Sequence, residues 1–319
     1  MKRIVLGLCL AGVFVSSGCG KRTGDSSEGE LNGTISISGA WALYPMAVRW
    51  AEEFRKIHPG VRIDISAGGA GKGMADCLSG AADLGMLSRE IHNSELEKGA
   101  WPLAVVKDAV VAVANRNHPA AQTLLSRGLT RQECIDLWIT GRLKTWGQLS
   151  GFSLNEPIHV YTRSDACGAA ETWAKYLGKN QEDLQGIGVF GDPGLAEAVR
   201  KDPLGIGYNN VNYAYDAAAK KPMDGLMIVP LDLNENGRID PEESFYGDRD
   251  EITGAIGQGR YPSPPARLLY LVSKGRPARP EVLAFLEWIL RDGQAFADEA
   301  GYVPLSKEAA MKELEKLTR

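Results

Sequence analysis

The chain has 319 residues, 44% of them hydrophobic and 24% charged, with a formal net charge of −4. That composition belongs to a globular protein long enough for two separate cores. It excludes an extended disordered chain, and without a dense basic block it excludes a surface that tracks nucleic acid.

Residues 1–18 are predicted to be a signal peptide. Lys2 and Arg3 precede an apolar run over 4–15, and Ser16, Ser17 and Gly18 follow. The run is too short for an ordinary membrane-spanning helix. Cleavage before Cys19 resembles bacterial lipoprotein processing, which would make Cys19 the lipid attachment site. Ser16 stands where such signals usually carry Leu, and a plain secretory signal with an incidental cysteine is the alternative. Residues 19–33 are polar and glycine-rich, as expected of a flexible tether. With Cys9 and Cys19 set aside, Cys77, Cys134 and Cys167 remain, enough for one bridge and one free thiol, or for none. His58, His92, His118 and His159 show no zinc spacing and are expected at the surface.

The folded part is expected to begin at Gly33. Residues 34–38 alternate as a strand, 39–45 (GAWALYP) form a turn, and 46–58 carry helical periodicity with Val48, Ala51 and Phe54 on one face. Pro59-Gly60 stops that helix. A second strand over 61–66 leads into the glycine run AGGAGKG, 67–73, and a helix from Met74. The run is not a phosphate-binding Walker loop, because Ser66 replaces its first glycine and Gly73 replaces its Ser or Thr. It either brings backbone N–H groups close to something small or makes a tight structural turn. A short strand over 83–86 leads to Ser88 and Arg89. Residues 105–113 are strongly apolar apart from Lys107 and Asp108, and 129–139 are helical.

The segment 158–177, IHVYTRSDACGAAETWAKYL, organises the rest. It predicts a strand ending at Arg163, a short loop, and a helix opening near Gly168. A helix N-terminus leaves unpaired N–H groups and a partial positive charge, a natural seat for an oxyanion. Arg163 would add a charge-assisted fork to the same anion. The plainer alternative is an ordinary strand–helix turn with a surface Arg. Further on, 205–215 predicts a buried strand end and a polar corner, where Tyr208, Asn209 and Asn210 either face a cleft or cap local backbone. A last strand over 266–272 and helices over 282–290 and 308–317 close the chain. Strands alternating with helices predict an α/β architecture.

Residues 232–243, DLNENGRIDPEE, follow a strand over 226–231. As a twelve-residue loop they place Asp232, Asn234 and Asn236 at positions one, three and five, and Gly237 at six. The Arg238 carbonyl falls at seven, Asp240 at nine and Glu243 at twelve. This is an EF-hand pattern, with hard oxygen donors at alternate positions and a glycine for the bend. The expected occupant is a structural calcium ion, constitutively bound and bracing the loop; an acidic turn without metal is the plainer alternative.

In order along the chain, SGAWALYP, AGGAGKGM, ADLGMLSRE, YTRSDACGAAETW, GIGYNNVNYAY, YPSPPARLLYLV and DGQAFADEAGYVPL together resemble the phosphate-binding periplasmic proteins of ABC importers. The resemblance implies a two-lobed type II periplasmic-binding fold. Lobe I would comprise 34–112 and 265–319, and lobe II 113–264 with the calcium loop inserted. It also implies an interlobe anion site built from Ala42 and Leu43, Ala70 and Gly71, Ser88 and Arg89, with Arg163, Asp165, Cys167, Gly168 and Ala169 opposite. Members of the family place Ser and Thr hydroxyls in the first, second and fourth of these loops. Here Trp41, Ala42 and Leu43, then Ala70, then Cys167 and Ala169 stand in those loops, and each lost hydroxyl removes roughly 0.5–1.5 kcal/mol. Asp165 either accepts a proton from monohydrogen phosphate or orients Arg163.

The function expected from this resemblance is capture of phosphate or a related oxyanion for an ABC permease, by a lipid-anchored monomer outside the cytoplasm. It would bind no nucleic acid and do no chemistry. Two alternatives come from the residues. The missing hydroxyls suit a binding-fold protein that has lost transport and acts as sensor or adhesin. A cysteine phosphatase would use Cys167, but such enzymes need Arg about six residues after the thiol, and Arg163 precedes it.

Overall fold

The computed structural model describes residues 31–318. The signal-peptide and Cys19 expectations, and nearly all of the tether, lie outside those residues. Ten strands are present among them: β1 (Gly33–Gly39), β2 (Val61–Ala67), β3 (Leu84–Leu87), β4 (Ala100–Asn115), β5 (His159–Arg163), β6 (Ile187–Val189), β7 (Gly205–Asn210), β8 (Leu226–Val229), β9 (Ala266–Lys274) and β10 (Val303–Pro304). They pair in the order β2-β1-β3-β9-β4-β7-β5-β6, with β8 and β10 also on β4.

Strand β4 joins two halves. Its 16 residues span roughly 50 Å at the usual rise of a strand. Ala100 to Ala109 pair antiparallel with β9, while Val110 to Ala114 pair with β7 and Ala112 to Asn115 with β8. Covered on both faces over much of its length, β4 needs an almost unbroken apolar run, which is how 105–113 reads.

Two hydrophobic cores lie along it. One gathers Trp50, Phe54, Met86, Leu103, Val106, Leu271, Phe285 and Tyr302; the other gathers Val111, Trp138, Trp146, Trp173, Tyr208, Ile228 and Tyr261. The change from one to the other falls between Val106 and Ala109 on β4 and between Ala266 and Leu269 on β9. The chain is therefore a mixed α/β protein of two lobes.

Local chemistry sets the helix ends. Pro45 opens the helix Tyr44–Ile57, where a missing N–H costs nothing. Thr130 and Glu133 cap the helix Arg131–Trp138 reciprocally, through Glu133 N–H to Thr130 Oγ1 at 3.2 Å and Thr130 N–H to Glu133 Oε2 at 3.0 Å.

Of the histidines expected at the surface, His118 is a correction: it is 3% exposed. Its ring packs edge-on to Trp146 at 4.3 Å, and its Nδ1 accepts the Ala120 N–H at 3.0 Å, so a turn and an aromatic neighbour internalise it. Cys77, Cys134 and Cys167 are buried free thiols, the unbridged alternative. No described helix is long and apolar enough to cross a membrane.

Candidate functional site

The segments singled out in the sequence meet along one seam between the lobes. Ala42 and Leu43, 1% and 0% exposed, lie in a single-turn helix just after β1. Beside them, Trp41 meets the ring of Tyr213 edge-on at 6.4 Å, and the Tyr213 hydroxyl donates to the Trp41 carbonyl at 3.2 Å. The second loop crosses the seam directly, with Gly71 N–H donating to the Ala166 carbonyl at 3.3 Å. The third presses Ser88 against the start of the helix Gly168–Tyr176.

Arg163 ends β5 and is 6% exposed. Asp165 takes its Nε at 2.8 Å and Nη2 at 2.6 Å, and Asp192 stands 2.9 Å from Nη1. Burial works against the charge, but Asp192 and then the other neighbours outweigh it and hold Arg163 above the usual Arg value. Asp165 thus orients Arg163, as one of its two expected roles required. It also accepts the Gly191 N–H at 3.2 Å.

The network continues inward. The Asn210 side-chain amide donates to Asp192 Oδ1 at 2.7 Å, and the Asn209 amide to the Asp192 carbonyl at 3.0 Å. Arg267 donates to Asn210 Oδ1, to the Gly168 carbonyl at 2.7 Å, to Thr172 Oγ1 at 3.0 Å and to Asp108 at 3.4 Å. Burial raises the pKa of Asp192 against the pull of Arg163 and Arg267, and pushes Asp108 up to about 6. Asn209 and Asn210 are therefore internal partners of this network, 0% and 1% exposed.

Cys167 caps the helix Gly168–Tyr176, its Sγ accepting the Ala170 N–H at 3.5 Å, and its own N–H donates to Gln181 Oε1 at 3.2 Å. Burial, against the opposing pull of Arg163, pushes the thiol up to about 12, so it is no ready nucleophile. Ala169 is 2% exposed in the first turn of that helix.

The Arg89 side chain is engaged by carboxylates in this conformation. It is 8% exposed, its Nη atoms hold Glu95 at 2.6 and 2.8 Å, and its Nε faces Glu171 at 3.2 Å. Because Glu171 belongs to the other lobe and also meets His92 at 3.2 Å, this cluster is a clasp across the seam; Lys175 and Glu90 add a second pair at 2.9 Å. A cavity of about 250 Å³ lined by Arg89, Thr172, Lys175 and Arg267 opens beside it. A larger one, about 580 Å³, lies elsewhere, under β8 near Leu226 and Tyr246, and shares no lining residue with the seam.

Asp192, Asp108, Arg267 and Glu171 are the members that sequence reasoning missed. Two of them left a signal: Asp108 and Arg267 are charges inside apolar strand runs, and a charge there must find a partner. Asp192 opens a helix, a common place for an acid, and carried no such mark.

In the loop 232–243, Asp232 and Glu243 are 2% and 5% exposed. Asp232 accepts the N–H of Asn236 at 3.2 Å and of Gly237 at 2.8 Å; Glu243 accepts those of Leu233 at 2.8 Å and Asp240 at 3.1 Å. Gly237 has φ +83°, the left-handed bend the pattern requires at position six. The side-chain amides of Asn234 and Asn236 turn onto Asp240 at 3.0 and 2.6 Å. No group of three or more His, Cys, Asp or Glu able to hold a metal is gathered among the described residues, so the loop's carboxylates do not by themselves form a metal shell.

The profile of the PBP superfamily domain matches residues 24–293, and the chain belongs to that family of two-lobed binding proteins. It is similar to the phosphate-binding protein PstS of Methanocaldococcus jannaschii, 28% identical over 96% of this chain and 92% of that one. It is also similar to PstS of Pseudomonas aeruginosa, 27% identical over 90% and 88%. Among solved structures it resembles an ABC transporter substrate-binding protein of Clostridium perfringens with bound phosphate: TM-score 0.70, 22% identity, 86% of this chain and all of that one. An ABC-type phosphate transport receptor of Vibrio cholerae gives TM-score 0.62 at 18% identity, covering 85% and 100%. These two structures establish the type II fold, with β4 and β9 running between the lobes.

Proposed function

We propose that the chain is an extracytoplasmic solute-binding protein that captures phosphate, or a related oxyanion, in the interlobe seam for import by an ABC permease. The observation that carries this reading is the charged, buried Arg163 at the mouth of the helix Gly168–Tyr176, opposite the glycine loop around Gly71. A guanidinium and helix N–H groups facing a closing cleft suit a small anion. The relatives named as phosphate-binding proteins support phosphate as the ligand. The protein does no chemistry in this reading, in keeping with the Cys167 thiol being held protonated. A monomer carried on a lipid at Cys19 completes it.

A second reading, a sensor or adhesin that has given up transport, is favoured by one observation: all three Arg163 nitrogens already face carboxylates. Calorimetric titration with phosphate, arsenate, sulfate and molybdate separates the two. Micromolar or tighter phosphate binding that Arg163→Ala abolishes supports capture; no heat with any of the four gives the second reading the field.

We also propose a structural calcium ion in the loop 232–243, held by the side chains of Asp232, Asn234, Asn236, Asp240 and Glu243 and the carbonyl of Arg238. The support is the bend at Gly237 and two buried carboxylates, Asp232 and Glu243, at its first and twelfth positions. For the two asparagines to serve, their Oδ1 atoms rather than their amides must turn inward.

A further inference from the structure

Oxyanion capture is the premise here, and it meets an obstacle inside the seam. The Arg163 guanidinium is already ringed by acids: Asp165 takes hydrogen bonds from Nε and Nη2, and the Asp192 carboxylate stands 2.9 Å from Nη1 as a charge contact, leaving Nη1 without a hydrogen-bond partner. The buried network counts two guanidiniums, Arg163 and Arg267, against three carboxylates, Asp108, Asp165 and Asp192. Its formal charge is −1 before any ligand arrives. A dianion added to it would make −3 in a place with little water, where unpaired charge is costly.

We propose that an oxyanion reaches Arg163 by displacing the Asp192 carboxylate from Nη1, and that Asp192 takes up one proton from solvent as it leaves. Asp192 is therefore a specificity-determining residue, the internal occupant with which every ligand competes. The balance is simple: one carboxylate O–H bond forms, the ligand keeps its own protons, and no other bond changes.

Three observations single out Asp192 over Asp165. Asp165 takes hydrogen bonds from two Arg163 nitrogens and is braced by the Gly191 N–H, whereas Asp192 stands beside Nη1 as a charge contact without a hydrogen bond. Asp192 is 2% exposed, so water does little to keep it ionised once it leaves the guanidinium. Its other oxygen accepts from Asn210, a neutral donor that serves a carboxylic acid as well as a carboxylate. The groups facing Asp192 are Arg163, Asp165, Arg267, Asp108, Cys167 and Tyr213; all three carboxylates crowd the same two cations, and the pKa of Asp192 already stands above its ordinary value through burial.

The test is calorimetric titration of the whole chain with inorganic phosphate from about pH 7.5 to 9, where phosphate is mostly the dianion, in buffers of different ionisation enthalpy. The expected result is about one proton taken up per phosphate, with Kd rising about tenfold per pH unit. Asp192→Asn should bind with near-zero uptake and a flat Kd over the same window, and should be tighter than wild type at the alkaline end. A wild type that binds phosphate without proton uptake overturns the displacement and leaves the capture reading standing. So does uptake that persists unchanged in Asp192→Asn, since it then belongs to the ligand. A silent wild type overturns the capture reading and this inference together, whether or not Asp192→Asn binds.

Discussion

Gly168 lies so close to Ser88 that a Cβ on it would fall 2.2 Å from the Ser88 carbonyl oxygen and 2.3 Å from its Oγ. The helix of one lobe thus opens directly against the third loop of the other. The approach holds only while residue 168 has no side chain, and the carbonyl cannot rotate away as a long side chain would.

Gly168→Ala should therefore hold the lobes apart. A closing penalty of about 1.4 kcal/mol already weakens ligand binding about tenfold. Phosphate titration should show at least that loss, and small-angle scattering should show a larger radius of gyration with ligand than wild type has. Gly254→Ala, where an added Cβ meets nothing within 4 Å, is the control and should leave both unchanged. Wild-type affinity in Gly168→Ala would mean that the lobes need not meet here.

His118 should make the protein acid-sensitive. Its Nδ1 accepts the Ala120 N–H, its Nε2 has no hydrogen-bond partner, and burial lowers its pKa to about 4. Protonation would set two N–H groups against each other. The unfolded chain binds more protons here between about pH 6.5 and 4, so stability rises with pH across that window and is lost as pH falls through it. His118→Asn keeps an acceptor for Ala120 but does not titrate. Urea melts should show wild type losing about 1–3 kcal/mol relative to this variant between those two pH values. Asp108, pushed up to about 6, works with the opposite sign, its stabilising share being lost as pH rises toward 6. The comparison must therefore be made against His118→Asn, which retains Asp108. Parallel stability profiles for the two proteins would remove His118 from the account.

Calcium should raise the melting temperature. Free ion at a hundred times Kd contributes about 2.7 kcal/mol, and EDTA should take it away. Glu243→Gln, which removes the charge of the closing carboxylate, should abolish most of the difference. Melting curves that superimpose with calcium and with EDTA would sink the site.

Much of the element sequence was legible because its signals are local. The alternation over 34–38 and 61–66 became β1 and β2, the apolar run over 105–113 lies within β4, and the strand–loop–helix at 158–177 appears as β5 and the helix Gly168–Tyr176. The ends drifted by a few residues, as at the helix Tyr44–Ile57, which begins two residues before the expected 46 because Pro45 suits a first turn.

By itself the sequence determined which segments are strands and helices, where glycines and prolines break them, and that Arg163 stands beside a helix start. Each of these depends on residues within a turn or two of one another. Only the tertiary structure decided who neutralises that arginine. Asp192 lies 29 positions downstream, and Arg267 reaches Asp108 from 159 positions away. Partner choice among buried charges is settled by which groups the packed lobes strip of water together, and no periodicity along the chain carries that information.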